Sequence, residues 1–186
     1  MRLGVLGGTF DPPHIGHLLA ASDASEALAL DRLLFVPAAA HPFKGSDVGA
    51  TPEQRVRMLA LLVGDDVRFA IDTIEIERPG LSYTVDTLAD LARRYPDAER
   101  FFLIGEDLVD QLATWREPER LTQLAEVVVM ARGEAARGAQ RFRRLKTRRI
   151  DVSSTEVRAR ARAGLPLHGF VPDPVVAYIR DAGLYR

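Results

Sequence analysis

The stretch Leu3-Gly4-Val5-Leu6-Gly7-Gly8-Thr9-Phe10-Asp11-Pro12-Pro13-His14-Ile15-Gly16-His17 decides the fold. Leu3 to Leu6 is short, apolar and followed by a glycine pair, which reads as a buried parallel strand emptying into a tight turn. Glycines at such a turn let main-chain N–H groups come close to a ligand. Beyond Gly16, residues Leu18, Ala21, Ala24 and Leu28 recur at helical spacing. His14 and His17 therefore stand at a helix entry, where exposed N–H groups and the helix dipole favour an anion. Flanking Gly16, the two imidazoles are placed to touch one phosphate chain. A glycine turn after a first strand also occurs in folds that bind nothing there, and histidines three apart also suit a metal. No cysteine or acidic cluster follows at ligand spacing, so phosphate is preferred and no protein metal site is expected.

Working outward, strand-like and helix-like segments alternate along the whole chain. The alternation predicts an α/β fold, a Rossmann-like parallel sheet with helices on both faces. Strands are expected near 2 to 6, 32 to 36, 67 to 70, 100 to 104, 126 to 131 and 148 to 151. Helices are expected over 16 to 29, 53 to 63, 85 to 94, 106 to 112, 117 to 123, 154 to 163 and 173 to 182. There is no internal repeat and no low-complexity segment. The loop from Pro37 to Pro52 is rich in Ala, Gly and Pro; loops longer than about 12 residues in a compact domain are often functional, so it is the candidate substrate flap. A second loop, Gly133 to Gly138, leads into a basic run.

Composition narrows the possible roles. The chain has 186 residues, 47% hydrophobic and 27% charged, the profile of one globular domain spanning 1–186. A formal charge of -1 and a pI near 6.4 give no overall drive toward nucleic acid or an anionic membrane. The absence of cysteine excludes disulfides and thiol catalysis. With no signal-peptide pattern and no apolar run near the ~18 residues that span a bilayer, a cytoplasmic protein is expected. The seven Lys or Arg residues from Arg137 to Arg149 include one aromatic, Phe142, among them. A single-strand binder would interleave stacking side chains with charge, so a solvated face is expected and not a nucleic-acid site.

Three later segments carry candidate chemistry, each with a plain structural reading beside it. In Asp151-Val152-Ser153-Ser154-Thr155-Glu156-Val157-Arg158, Ser153 and Glu156 have the spacing of a capping box, which by itself accounts for the segment. Capping leaves other first-turn N–H groups, and Ser154, Thr155 and Arg158 would surround that positive end with donors suited to a triphosphate. Ser82-Tyr83-Thr84-Val85-Asp86-Thr87-Leu88 begins a helix that Thr84 can cap, with Asp86 in the favourable first turn. Phe101 to Ile104 reads as a buried strand ending at Gly105, with Glu106 and Asp107 at a helix start. Trp115, the one tryptophan, is by residue type more often a core residue than a stacking platform.

Taken together, these motifs resemble the nucleotidyltransferase superfamily with a His-x-Gly-His element, and within it the bacterial nicotinate-nucleotide adenylyltransferases. The Gly-Gly-Thr-Phe-Asp-Pro-Pro-His-x-Gly-His form and the later Ser-Ser-Thr-x-x-Arg element occur in that family's order, and the similarity runs to Gly169-Phe170-Val171-Pro172 and Leu184-Tyr185. The resemblance implies transfer of AMP from MgATP to nicotinate mononucleotide, giving nicotinate adenine dinucleotide and pyrophosphate. It implies an ATP site of Gly7, Gly8, Thr9, Phe10, His14, His17, Gly105, Asp107, Ser153, Ser154, Thr155 and Arg158. The acceptor would meet Tyr83, Thr84, Trp115 and Lys44, and the reaction would rest on His17, His14, Arg158 and Lys44. Mg²⁺ would be bound mainly through the ATP phosphates, in keeping with its reluctance to dehydrate. The helical part from about 152 to 186 would carry the second phosphate motif.

The chain departs from the family pattern at three places. The flap reads Ala40-His41-Pro42-Phe43-Lys44 where Pro-Pro-His-Lys is usual, Arg116 follows Trp115 where an aromatic residue is common, and Glu106 stands inside Gly-x-Asp. An adenylyltransferase for nicotinamide mononucleotide or phosphopantetheine, or a nucleotide sensor without turnover, stays open as an alternative, and so does a homo-oligomer.

Overall fold

The computed structural model describes residues 1–39, 49–78, 80–131 and 141–186. Six parallel strands form one sheet in the order β3-β2-β1-β4-β5-β6. They are β1 (Arg2–Gly8), β2 (Arg32–Pro37), β3 (Phe69–Ile71), β4 (Glu99–Gly105), β5 (Glu126–Ala131) and β6 (Arg143–Lys146). The helices are α1 (Ile15–Ala27), α2 (Pro52–Val63), α3 (Ile74–Glu77), α4 (Thr84–Arg94), α5 (Pro118–Leu124), α6 (Ser154–Arg162) and α7 (Asp173–Asp181), with a 3-10 helix over Glu106–Thr114.

Strands covered on both faces need apolar residues in both alternating sets, and the strands here have them. Leu33 and Phe35 of β2, Phe101 and Leu103 of β4 and Val128 of β5 point into a core shared with α1, α2, α6 and α7. Leu3 and Val5 of β1, Leu34 and Val36, Phe102 and Ile104, and Val127 and Val129 point the other way, into a core closed by α3, α4, the 3-10 helix and α5. The Rossmann-like expectation is met, with helices on both faces.

Differences from the expected elements have physical causes. The last strand forms at Arg143–Lys146, not at 148 to 151. An edge strand needs one buried side chain to fix its face, and Leu145 supplies it, whereas Ile150 is only half-buried and its neighbours Arg148 and Arg149 are turned to carboxylates of Asp23 and Asp151. The 106 to 112 segment is helical but wound as a 3-10 helix. The short α3 was not expected, since four residues carry no readable period. Helix α4 begins at Thr84 with Tyr83 at the capping position, so Thr84 does not cap it. The segment containing Lys44 and the loop from Gly133 to Gly138 lie outside the described residues.

The topology places the site. Chain order runs outward from β1 to β2 and β3, then jumps to β4 on the other side of β1. In open α/β sheets the crevice at such a switch, beyond the strands' carboxyl ends, is where ligands bind. The β1–β4 pairing stops at Leu6 opposite Leu103, while β1 continues against β2 to Gly8 and β4 continues against β5 to Gly105. The two glycine-ended strands therefore part at the edge.

Candidate active site

At the mouth of that crevice a Cβ on Gly7 would meet nothing within 4 Å, so the missing side chain leaves main chain open to a ligand. Gly8 serves a different purpose. A Cβ there would come within 2.9 Å of the Phe10 ring, which folds back over it from a left-handed backbone at φ 52. Phe10 in turn meets the His17 ring edge-on, centroids 5.0 Å apart. Thr9 Oγ1 is buried without a hydrogen-bond partner among the described residues, a position a ligand oxygen would satisfy.

His14 occupies the capping position of α1 and is buried, with 4% of its surface exposed. Its main-chain N–H donates to His17 Nδ1 at 3.1 Å. An imidazole nitrogen that accepts is unprotonated, so neutral His17 carries its proton on Nε2. The helix entry thus fixes the tautomer, with the proton on Nε2. The two rings lie 3.7 Å apart between centroids, tilted by 33°. A Cβ on Gly16 would stand 3.0 Å from His14 Nδ1, so the intervening residue is glycine because the His14 ring lies over it. This explains the His-x-Gly-His spacing in packing terms.

The Ser153 to Arg158 segment folds onto this turn, Ser154 and Pro12 being 142 positions apart. Ser153 caps α6, accepting from Glu156 N at 3.1 Å. Ser154 Oγ donates to the Pro12 carbonyl at 2.8 Å, and Arg158 Nη1 donates to the Asp11 carbonyl at 2.7 Å. Arg158 Nη2 also reaches Thr155 Oγ1 at 3.3 Å. The N-terminus of α6 and that of α1 therefore converge on one turn, and Ser154 already gives its hydrogen to protein.

Beneath this turn lies a residue that the motifs do not reveal. Arg55 of α2 is 1% exposed, donating Nη1 to the Thr9 carbonyl at 2.7 Å and Nη2 to the Ala39 carbonyl at 3.4 Å. Burial lowers the pKa of its guanidinium, against the attraction of Asp11. It ties the exits of β1 and β2 together. A signal was present: Arg55 shares the spacing of Met58, Leu59 and Leu62 on the apolar face of α2, and an arginine there needs partners.

Across the sheet, Tyr83 and Trp115 pack against the opposite core. Trp115 lies 6.2 Å from Phe102 between ring centroids and is half-buried. The guanidinium of Arg116 sits 4.8 Å over the Tyr83 ring and 3.6 Å from Asp86 Oδ2. The turn beneath is held by Glu75, whose carboxylate accepts from Thr87 Oγ1 at 2.8 Å while its carbonyl accepts from Ser82 Oγ at 3.2 Å. Burial raises the Glu75 carboxyl above its ordinary value, opposed by the Thr87 hydrogen bond and the Arg78 charge. At the end of β4, Asp107 Oδ1 lies 2.4 Å from where a Gly105 Cβ would be, so Gly105 gives that carboxylate its place. Glu106 pairs with Arg144 at 2.8 Å. Within the described part of the basic run, Arg143, Arg148 and Arg149 also pair with carboxylates, of Glu126, Asp23 and Asp151.

The cytidylyltransferase-like family model matches residues 5–160. A Thermus thermophilus protein named "Probable nicotinate-nucleotide adenylyltransferase" is 46% identical over 189 residues, covering 100% of both chains. One of the same name from Gemmatimonas aurantiaca is 43% identical over 197 residues, covering 100% of this chain and 93% of its own. The chain belongs to the nicotinate-nucleotide adenylyltransferase family. The fold of Plasmodium falciparum nicotinic acid mononucleotide adenylyltransferase, in complexes with APC and with NaAD, superimposes with a TM-score of 0.82 in each case at 16% and 17% identity, covering 99% of this chain and 96% and 97% of those chains. In this family member the His14–His17 turn and the entry of α6 meet at one end of the crevice, and Tyr83 and Trp115 pack on the other face of the sheet. Among the described residues no helix is long and apolar enough to cross a membrane.

Proposed function

We propose that the protein transfers AMP from MgATP to nicotinate mononucleotide, releasing pyrophosphate and forming nicotinate adenine dinucleotide, a step of NAD biosynthesis carried out in the cytoplasm. Residues 1–186 act as one nucleotidyltransferase domain, whose helical part from about 152 to 186 supplies the second phosphate motif. The observation that carries the reading is the docking of Ser154 and Arg158 onto the turn that holds His14 and His17, which brings two helix entries to one turn.

The chemistry needs no protein nucleophile. An oxygen of the acceptor phosphate attacks the α-phosphorus of ATP, a new P–O bond forms, and the α–β bridging bond breaks with its electron pair leaving on pyrophosphate. No proton need be removed from an acceptor phosphate that is already ionised. What remains is alignment and stabilisation of the growing negative charge. His17 offers Nε2–H to a phosphate oxygen, and His14 shares that load. Arg158, with Ser154, Thr155 and the cap at Ser153, faces the β and γ phosphates. Gly7, Gly8, Thr9 and Phe10 form the cradle, and Gly105 with Asp107 receives the ribose hydroxyls. Tyr83 and Trp115 flank the pyridine ring, the Thr84 end of α4 turns its N–H groups to the nicotinate carboxylate, and Lys44 reaches a phosphate.

The donor set fits a metal brought in by substrate. The one carboxylate in this turn, Asp11, accepts from Gly49 N, Ala50 N and the Tyr185 hydroxyl, while the other polar side chains gathered there are imidazole, guanidinium and hydroxyl. Mg²⁺ would be held chiefly by ATP phosphates and water, and when bound it neutralises charge on the pyrophosphate as it leaves. ATP labelled at the α-phosphate and, separately, at the γ-phosphate tests the direction of attack. The α label should enter the dinucleotide and the γ label pyrophosphate; a γ label in the acceptor product would overturn adenylyl transfer.

A further inference from the structure

Asp11 belongs to the loop that carries the histidines, yet its carboxylate faces inward, 3% exposed, among donors from distant parts of the chain. Oδ2 accepts from Gly49 N at 2.8 Å. Oδ1 accepts from Ala50 N at 3.1 Å and from the Tyr185 hydroxyl at 2.7 Å. The main-chain carbonyl of the same residue receives Arg158 Nη1 at 2.7 Å. One residue therefore joins the phenol of Tyr185, the approach to α2 and the guanidinium assigned to the triphosphate.

Tyr185 is itself held in an unusual state. Its ring is buried, 6% exposed, and packs so tightly on Gly49 that a Cβ there would fall 2.8 Å from it. Its backbone is left-handed, at φ 63, a conformation that a side chain with a Cβ adopts only when its surroundings impose it. Burial, and then the hydrogen bond to Asp11, raise the phenol above its ordinary range, so it remains a donor at any physiological pH.

We propose that Tyr185 is a positioning residue for the triphosphate site: its hydroxyl orients Asp11, and Asp11 holds the carbonyl against which Arg158 is set. The proposal rests on Arg158 binding the ATP phosphates. Tyr185 touches no reacting atom. With the hydroxyl removed, Asp11 keeps its two main-chain donors but loses the one that fixes Oδ1 from the far side, and the loop is free to settle differently beneath Arg158.

A double-mutant cycle on the full chain tests this. Tyr185→Phe keeps the ring on Gly49 and removes the hydrogen bond. It should weaken equilibrium ATP binding and raise the KM for ATP about tenfold, the order set by one hydrogen bond to a charged group. The KM for nicotinate mononucleotide should stay within twofold, because Tyr83 and Trp115 pack on the other side of the sheet. Introduced into Arg158→Ala, the same change should cost less than twofold. Binding titrations count only folded protein, so loss of active fraction cannot imitate the effect. Equal losses in both backgrounds, or a fall in kcat with both KM values and ATP affinity unchanged, would overturn the positioning role. Arg158→Ala at full activity would overturn the phosphate-site assignment itself, and the route from Tyr185 with it.

Discussion

Replacing His17 separates two jobs that one imidazole performs. Nδ1 accepts the His14 main-chain N–H at 3.1 Å, which satisfies a donor at the start of α1, while the proposed catalytic role falls to Nε2–H. His17→Ala removes both. Losing a cap interaction costs about 1 kcal/mol, which in a chain of this size lowers the thermal midpoint by about 2–4 °C. Losing a preorganised donor to a charge that grows in the transition state costs on the order of 10²–10³ in kcat, about 3–4 kcal/mol. His17→Asn splits the two, because the asparagine Oδ1 stands near the place of Nδ1 and can accept the same N–H, whereas nothing replaces Nε2–H. Steady-state pyrophosphate release and thermal denaturation of the three proteins give the answer. The Asn variant should melt with the wild type and turn over like the Ala variant. Near-normal turnover by the Asn variant would refute the assignment of Nε2–H as the catalytic donor, and full turnover by the Ala variant would remove His17 from the mechanism.

Two further outcomes follow from the geometry. Gly16→Ala places a Cβ 3.0 Å from His14 Nδ1; the ring must shift, and kcat should fall about tenfold or more while the urea midpoint changes little, since small displacements of positioning groups are costly to rate. Glu75→Gln keeps an oxygen for Thr87 and removes the buried charge. Because the folded carboxyl is raised above 4.5, the native state binds more protons than the unfolded chain over the window above that value, and stability contributed by the neutral group is lost as pH rises through the folded pKa. Thermal scans should therefore show the Gln variant more stable than the wild type at pH 7.5 and indistinguishable from it at pH 4; a wild type that gains stability across this window relative to the variant would contradict the burial argument.

The sheet was legible because its strands carry apolar residues in both alternating sets, so Leu33 to Val36 and Phe101 to Ile104 could only be buried on two faces. The turn after β1 was legible because its glycines and histidines fall within eleven residues, Gly7 to His17. What escaped were contacts between residues far apart in the chain. Tyr185 and Asp11 are separated by 174 positions, and no local pattern links them. Arg55 belongs to no motif, and only its place on the apolar stripe with Met58, Leu59 and Leu62 pointed to a buried charge. The edge strand β6 was misplaced because charge dominates its composition, and only Leu145 fixes it to the core. Thr84 was expected at a cap by residue type, but the extended backbone of Tyr83 sets the start of α4 one residue earlier. Local signals fix elements and motifs; pairing across the chain decides which polar groups are already engaged.

Pyrophosphate release from MgATP, measured at matched concentrations of nicotinate mononucleotide, nicotinamide mononucleotide and phosphopantetheine, tests the central claim most directly. Turnover should be strongly selective for the nicotinate acceptor, whose carboxylate is proposed to meet the α4 entry beside Tyr83 and Trp115. Turnover confined to either of the other acceptors would contradict the substrate assignment, and ATP binding without release from any of the three would contradict catalysis.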